Sequence, residues 1–301
     1  MKTKLTFLLS LTFLFLFSGS VYGDDLQDAF DAEMRGDRKT ANELWLPLAE
    51  KGNAIAQFQL GMSYLVGLGI SKNTTKAIKL WRLAAEQGHA SAQYFLGLNY
   101  IEGRGVRQDI KEALRLWKLS AEQGTKIAQT SLGRVYLRGE VVPRDEKEGV
   151  KWYRLAAEQG DAKAQLILGE VYHKGKGNLL KDHKEAIKWY RLSAEQGYAL
   201  AQYEFGLMYL KDLQDNNEAV KWFRLSAEQG YGAGQRLMGM MYFLGKGVLQ
   251  DYVLAHMWWN LSAASGDKRG LEGRSMVEKK MTPSQIEKAQ EMARNWKPTK
   301  K

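Results

Sequence analysis

The chain has 301 residues, 26% charged and 45% hydrophobic, with four Pro and no Cys, a balance that suits a folded protein rather than a disordered or collagen-like one. Without a thiol it has no disulfides, thiolate nucleophiles, Cys-ligated zinc or iron–sulfur centres, and no lipid-modified N-terminal Cys. The formal charge of +10 becomes only moderately basic once Lys2 and Lys4 are set aside with the N-terminal segment that carries them.

Those two lysines precede an apolar run, Leu5 to Phe17, made almost wholly of Leu and Phe. Ser18, Gly19 and Ser20 then lead through Val21, Tyr22 and Gly23 to acidic Asp24. A basic start, a short apolar stretch and small residues are the pattern of a secretory signal peptide, and the run is shorter than the roughly 20 residues a spanning helix needs. Residues 1–23 are therefore expected to be removed after Gly23, leaving no stable membrane span; an uncleaved N-terminal anchor is the alternative. Export without Cys points to the periplasm of a Gram-negative bacterium or to the medium, so the expected location is periplasmic or secreted.

Beyond Asp24 the sequence repeats itself. A-E-K-G or A-E-Q-G ends at Gly52, Gly88, Gly124, Gly160, Gly197 and Gly230, and a degraded A-A-S-G ends at Gly266. A fixed period of roughly 36 residues means a stack of supersecondary elements, none able to bury its apolar face alone, and so one elongated domain. The repeats are 53–88, 89–124, 125–160, 161–197, 198–230 and 231–266; residues 24–52 read as a degenerate N-terminal repeat or cap and 267–301 as a C-terminal helical cap.

Each repeat predicts two helices. In the first, Ala56, Leu60 and Tyr64 recur every fourth residue on one face, as do Ala92, Leu96, Tyr100, then Ala128, Leu132, Tyr136, then Ala164, Leu168, Tyr172. A Gly follows the Leu in the repeats (Gly61, Gly97, Gly133, Gly169, Gly206, Gly239). Gly costs about 1 kcal/mol of helix propensity relative to Ala, so its recurrence predicts a neighbouring helix too close for a side chain. The second helix begins at Asn73, Asp109, Asp145, Asp182, Asp215 and Asp251, short acceptor side chains suited to an N-cap. Glu112, Glu148, Glu185 and Glu218 stand three residues later, where a capping box places its acid. This helix passes through a small residue to the steps Leu80-Trp81, Leu116-Trp117, Trp152-Tyr153, Trp189-Tyr190, Trp222-Phe223 and Trp258-Trp259. It stops at the closing Gly, as a left-handed C′ position requires. Gly-rich links such as Gly67-Leu68-Gly69, Gly103-Arg104-Gly105, Gly175-Lys176-Gly177 and Gly245-Lys246-Gly247 join the two helices, and the insertion and deletion among the repeats fall at these tips. In the flanks, Pro47 is expected to kink its helix. A helix near Arg269 to Lys280 precedes Thr282-Pro283-Ser284-Gln285, an N-cap Thr with Pro at N1 and Gln at N3.

The run A-x-A-Q-x-x-L-G-x-x-Y-x-x-G-x-G, followed by A-x-x-x-W and A-E-Q-G, resembles the Sel-one-like repeat family, relatives of the tetratricopeptide repeats, over residues 53 to 266. The resemblance implies an all-α fold, a right-handed α-solenoid of stacked antiparallel helix pairs, that serves as an interaction scaffold without general catalytic activity. Exported relatives in bacteria are implicated in envelope maintenance and host interaction. Some cysteine-rich secreted relatives have been linked to β-lactam binding, which makes Ser265-Gly266-Asp267-Lys268 an S-x-x-K match worth weighing. It lacks the K-T-G and S-D-N partners and those relatives' cysteines, and Ser265 occupies the Gln column of A-E-Q-G.

No other motif signals an enzyme, a cofactor or a metal site. His89, His173, His183 and His256 lie in different repeats or loops, and only His173 and His183 bracket one link. Lys79, Arg82, Arg115, Lys118, Lys151, Arg154, Lys188, Arg191, Lys221 and Arg224 form two basic columns on the second helices. They offer a ridge for an anionic cell-wall polymer, or a solvated face whose charge is taken up by acids one helical turn away. Nucleic acid is not expected, because the aromatics stand in a packing column rather than among the basic residues.

Family geometry places the first helix of each pair on the concave side. Projected at about 100° per residue, the columns that the repeat leaves variable select Phe58, Met62, Tyr94, Leu98, Arg134, Arg138, Tyr203 and Leu207 as candidate partner-binding residues. An apolar surface with a charged centre suits a protein or peptide segment laid along it. The expectation is an exported, non-enzymatic adaptor that binds such a partner; a cell-wall (peptidoglycan) binding module or regulator of a wall hydrolase is the second reading, and β-lactam binding at Ser265 the remote one.

Overall fold

The structure, a computed structural model, describes residues 23–175 and 180–299. The expected signal peptide lies outside them apart from the backbone of Gly23, as do Lys176 and Gly177 of the fourth link. Among the described residues the secondary structure is helical, with no strand. A first pair, α1 (Gly23–Met34) and α2 (Arg38–Glu50), is followed by six more: α3 (Ala54–Val66) with α4 (Thr74–Glu86), α5 (Ala90–Glu102) with α6 (Ile110–Glu122), and α7 (Lys126–Arg138) with α8 (Glu146–Glu158). Then come α9 (Ala162–Lys174) with α10 (His183–Glu195), α11 (Ala199–Lys211) with α12 (Asn216–Glu228), and α13 (Gly232–Leu244) with α14 (Tyr252–Ala264). The C-terminal flank forms α15 (Lys268–Glu278) and α16 (Pro283–Asn295). The chain divides into two compact units, Met1–Thr125 and Lys126–Lys301, and each is an all-α stack of antiparallel helix pairs.

The six Asx residues all act as N-caps, accepting from the backbone amide three residues on at 2.9–3.0 Å. The capping boxes expected at Glu112, Glu148, Glu185 and Glu218 do not form. The amide they would accept from is already committed: Asp109 N donates to Tyr100 O at 3.0 Å, Asp145 N to Tyr136 O at 2.9 Å and Asp182 N to Tyr172 O at 2.9 Å. This bond also ties the start of the second helix to the last turn of the first, and so sets the antiparallel pair. The freed glutamates turn forward instead, onto Arg115, Lys151, Lys188 and Lys221 one turn along. The full capping box occurs at Thr282 and Gln285, with Pro283 at N1, where no preceding helix competes for the amide. At the other end α2 runs unbroken across Pro47, although Pro cannot donate to the carbonyl one turn back.

The glycine column explains how closely the pairs approach. A Cβ at Gly61 would lie 2.5 Å from Trp81 Nε1, at Gly97 2.6 Å from Trp117, at Gly169 2.5 Å from Tyr190 and at Gly206 2.6 Å from Phe223. The indole N–H then finds the first helix's backbone: Trp81 Nε1 donates to Phe58 O at 3.1 Å, Trp117 to Tyr94 O at 3.0 Å and Trp259 to Arg236 O at 3.0 Å. The tight approach thus buries the largest rings and satisfies their single donor in one step.

Successive pairs are joined by a ladder of buried glutamines. Gln57, Gln93, Gln165, Gln202 and Gln235 each donate to the carbonyl of an Ala eight residues earlier, in the preceding second helix, at 3.0–3.3 Å. The oxygens of the first four in turn accept from the Gln of A-E-Q-G in their own repeats, Gln87 to Gln57 at 2.9 Å, Gln123 to Gln93 at 2.8 Å, Gln196 to Gln165 at 2.7 Å and Gln229 to Gln202 at 2.7 Å. The tyrosine column is only half-buried, and its hydroxyls take bonds from the previous repeat's arginines: Arg82 to Tyr100 at 3.3 Å, Arg154 to Tyr172 at 2.5 Å, Arg224 to Tyr242 at 3.2 Å.

Candidate functional site

The candidate residues sit on the first helices, and their surroundings differ. In the unit Met1–Thr125, Phe58 and Met62 on α3 are half-buried against a cluster built on Ile78, Trp81 and Leu96, and Phe58 stacks on His89 at 4.9 Å. Tyr94 is 7% exposed and stacks on Trp117 at 5.8 Å, so it offers little surface; Leu98, one turn on, is half-buried. In the unit Lys126–Lys301, Arg134 is exposed, as is Arg138, which pairs with Glu140 at 3.2 Å. Tyr203 lies half-buried against Phe223 and, edge to face, Tyr231 at 5.5 Å, with Leu207 half-buried beside it. The two apolar groups therefore belong to different units, and the exposed arginines belong to the second.

A polar group that sequence spacing did not select spans α9 to α11. His173 Nε2 lies 3.0 Å from Asp212 Oδ2, Lys174 Nζ lies 3.2 Å from Glu170 Oε2, and the His173 and His183 rings meet at 5.8 Å. Burial, reinforced by Glu170, raises the carboxyl of nearby half-buried Glu204 above the ordinary carboxylate range. Buried Tyr190 is likewise held above the usual phenol value by burial and then by Glu170, Glu204 and Asp212. The three acids come from three separated positions in two repeats, which is why no motif announces them. A second missed pair is His256, fully buried, with Nε2 3.0 Å from Glu278 Oε1. Among the described residues no set of three or more His, Asp or Glu is arranged to hold a metal ion.

The basic columns are largely engaged. Arg115 makes two bonds of 2.7 Å to Glu112, which hold that carboxyl below its usual value. Lys151 and Lys188 pair with the acids one turn back, and Arg82, Arg154 and Arg224 donate to tyrosine hydroxyls. Ser265 donates its hydroxyl to Ser262 O at 2.7 Å within its own helix end, the role of a turn residue rather than an activated nucleophile. No helix among the described residues is long and apolar enough to cross a membrane.

Stacked helix pairs held by a glutamine ladder, with variable side chains along one helix face, define a helical-repeat binding scaffold. Six copies of the Sel1 repeat match residues 54–89, 90–125, 126–161, 162–198, 199–231 and 232–267; the chain belongs to the Sel1 repeat family. Proteins of this family are typically non-catalytic protein–protein interaction scaffolds. Among solved structures it is similar to c5321, a protective antigen of uropathogenic Escherichia coli displaying an SLR fold, at 31% identity over 90% of this chain and 68% of that one, with a TM-score of 0.57. It is also similar to a Sel1 repeat protein from Oxalobacter formigenes, at 28% identity over 79% of this chain and 96% of that one, with a TM-score of 0.67. No curated protein matches the sequence.

Proposed function

We propose that this chain is an exported, non-enzymatic adaptor that binds a protein or peptide along the face presented by the first helices of its repeats. One observation carries the reading: in both units that face keeps half-buried apolar side chains where the repeat pattern does not dictate them, Phe58, Met62 and Leu98 in one, Tyr203 and Leu207 in the other. Half-exposed rings and aliphatic side chains are the anchors on which peptide recognition rests, and exposed Arg134 and Arg138 supply register. Export follows from the N-terminal pattern of Lys2, Lys4 and Leu5 to Phe17, and similarity to a protective antigen agrees with a protein that meets the outside of the cell. The repeats 53–266, with residues 24–52 and 267–301 as caps, are the binding body.

The test is affinity capture from an envelope extract with residues 24–301, run beside a Leu98→Glu, Leu207→Glu double variant of unchanged helicity. A protein kept by the wild type and lost by the variant is the expected outcome. Retention of the same wall fragments by both forms overturns the reading. Apolar anchoring also predicts little loss of binding between low and physiological ionic strength, whereas capture by the basic columns falls steeply.

A further inference from the structure

The C-terminal segment of this chain shows what a groove between successive second helices can hold. After α16 the chain extends through Trp296, Lys297, Pro298 and Thr299 across the end of α12. Thr299 N donates to Glu228 O at 2.7 Å, Trp296 meets Trp258 edge to face at 6.2 Å, and a Cβ at Gly230 would lie 3.7 Å from Pro298 and 3.8 Å from Trp296. The residues that receive this tail are therefore Glu228 and Gly230 at one helix end and Trp258 on the next second helix.

The same register positions four repeats earlier are Glu86, Gly88 and Leu116. They line an open groove of about 340 Å³ between α4 and α6, floored by Leu96 and bordered by Ala85 and Leu119. Among the described residues nothing covers this groove as α16 and its tail cover the later one. Four lining positions differ: Met238 and Trp258 are replaced by Leu96 and Leu116, and Leu254 and Met257, packed into the apolar cluster beneath the tail, by Glu112 and Arg115, which pair with each other. Glu86 lies in the last turn of α4, where the helix dipole adds negative potential and favours a basic residue after the anchor.

We infer that the groove between α4 and α6 is a second docking site, separate from the first-helix face, for a partner polypeptide segment built like this chain's own terminus. That segment has an aromatic side chain set against half-exposed Leu119, over a floor of buried Leu96 and Leu116, followed by a basic residue and an extended Pro-containing stretch that bonds to the carbonyl end of α4. Such a ligand loses little entropy in the extended part, because Pro fixes its own φ, and it gains most from the single buried ring.

The probe is a fluorescein-labelled peptide of residues 292–301, titrated by anisotropy against residues 24–301. Saturable binding is expected, weakened about fivefold or more by Leu119→Glu. Leu119 is half-exposed, so thermal unfolding of that variant should match the wild type. Glu112→Leu with Arg115→Met, which rebuilds the apolar rim of the later groove, should tighten binding about fivefold, and Trp296→Ala in the peptide should abolish it. No saturable binding, or equal binding by the wild type and both variants, overturns the site. So does binding that survives Leu119→Glu but is lost in Leu261→Glu, which places the peptide in the later groove by exchange with the chain's own tail. None of these outcomes depends on the first-helix face, which Leu98→Glu with Leu207→Glu tests alone.

Discussion

His89 stands where two other repeats place Asn53 and Asp161, and it does their work with a different atom. Its Nδ1 accepts from Ala92 N at 3.2 Å while its ring stacks on Phe58. Only the neutral imidazole has a lone pair for that bond, and burial lowers the histidine below its ordinary value of 6.5. A histidine whose folded value is depressed binds protons more readily when unfolded, so its contribution is complete above 6.5 and is lost as pH falls from there towards the folded value. Denaturant midpoints compared at roughly pH 7.5 and pH 5.5 should therefore show a loss on acidification that shrinks in His89→Asn, because an Asn caps equally well without titrating in this range. An unchanged pH dependence in the variant would assign the acid sensitivity to other groups. Nothing in residue spacing marks His89 as a cap; the signal is its column, visible once the repeats are aligned at their closing glycines.

Elements in this chain are specified twice, by local signals and by their neighbours, and the two disagree at the start of the second helices. Local pattern assigns Glu112 and its equivalents to capping boxes, but the Tyr carbonyl of the first helix takes the amide and the acid turns to a base. The glutamine ladder shows the same dependence. It breaks in the last repeat, where A-A-S-G supplies Ser265 in place of Gln and Gln235 Oε1 is left buried without a partner. Ser265→Gln should return a donor to that oxygen and raise stability by about 0.5–1.5 kcal/mol, the usual net worth of one such bond. A chemical-denaturation midpoint that stays put or falls would show that the oxygen is satisfied by water instead.

On the scale of the whole molecule, a stack of repeats draws its stability from intrinsic repeat terms and nearest-neighbour interfaces, so the ends matter most. In the second unit α16 and Trp296 close the apolar cluster of Ala227, Met238, Met257 and Trp258. Trp296→Ala should cost roughly 1–3 kcal/mol, below the usual price of a fully buried aromatic because Trp296 is half-exposed. Hydrogen exchange should speed up first in α12 and α14 and progressively less in helices farther along the chain. Uniform acceleration throughout Lys126–Lys301 would instead mean that the unit opens as one cooperative block.

Sequence alone determined the helix pairs, their six Asx caps, the glycine-to-aromatic approach and the C-terminal capping box, because each depends on residue types at fixed short separations that recur with the repeat. It also determined the family, since a recurring motif over residues 54–267 leaves little freedom. Tertiary structure alone decided which variable side chains keep a surface. Tyr94 and Phe58 occupy the same column, yet Tyr94 is buried and Phe58 half-buried, because exposure depends on what the neighbouring repeat brings against each ring. The cluster of Glu170, Glu204 and Asp212 around Tyr190, the His256–Glu278 pair, and the seating of the C-terminal tail on Glu228 and Trp258 are likewise matters of distance through space. Periodicity fixes the face on which a side chain stands, whereas the packed neighbour decides whether that face meets solvent, protein or a partner.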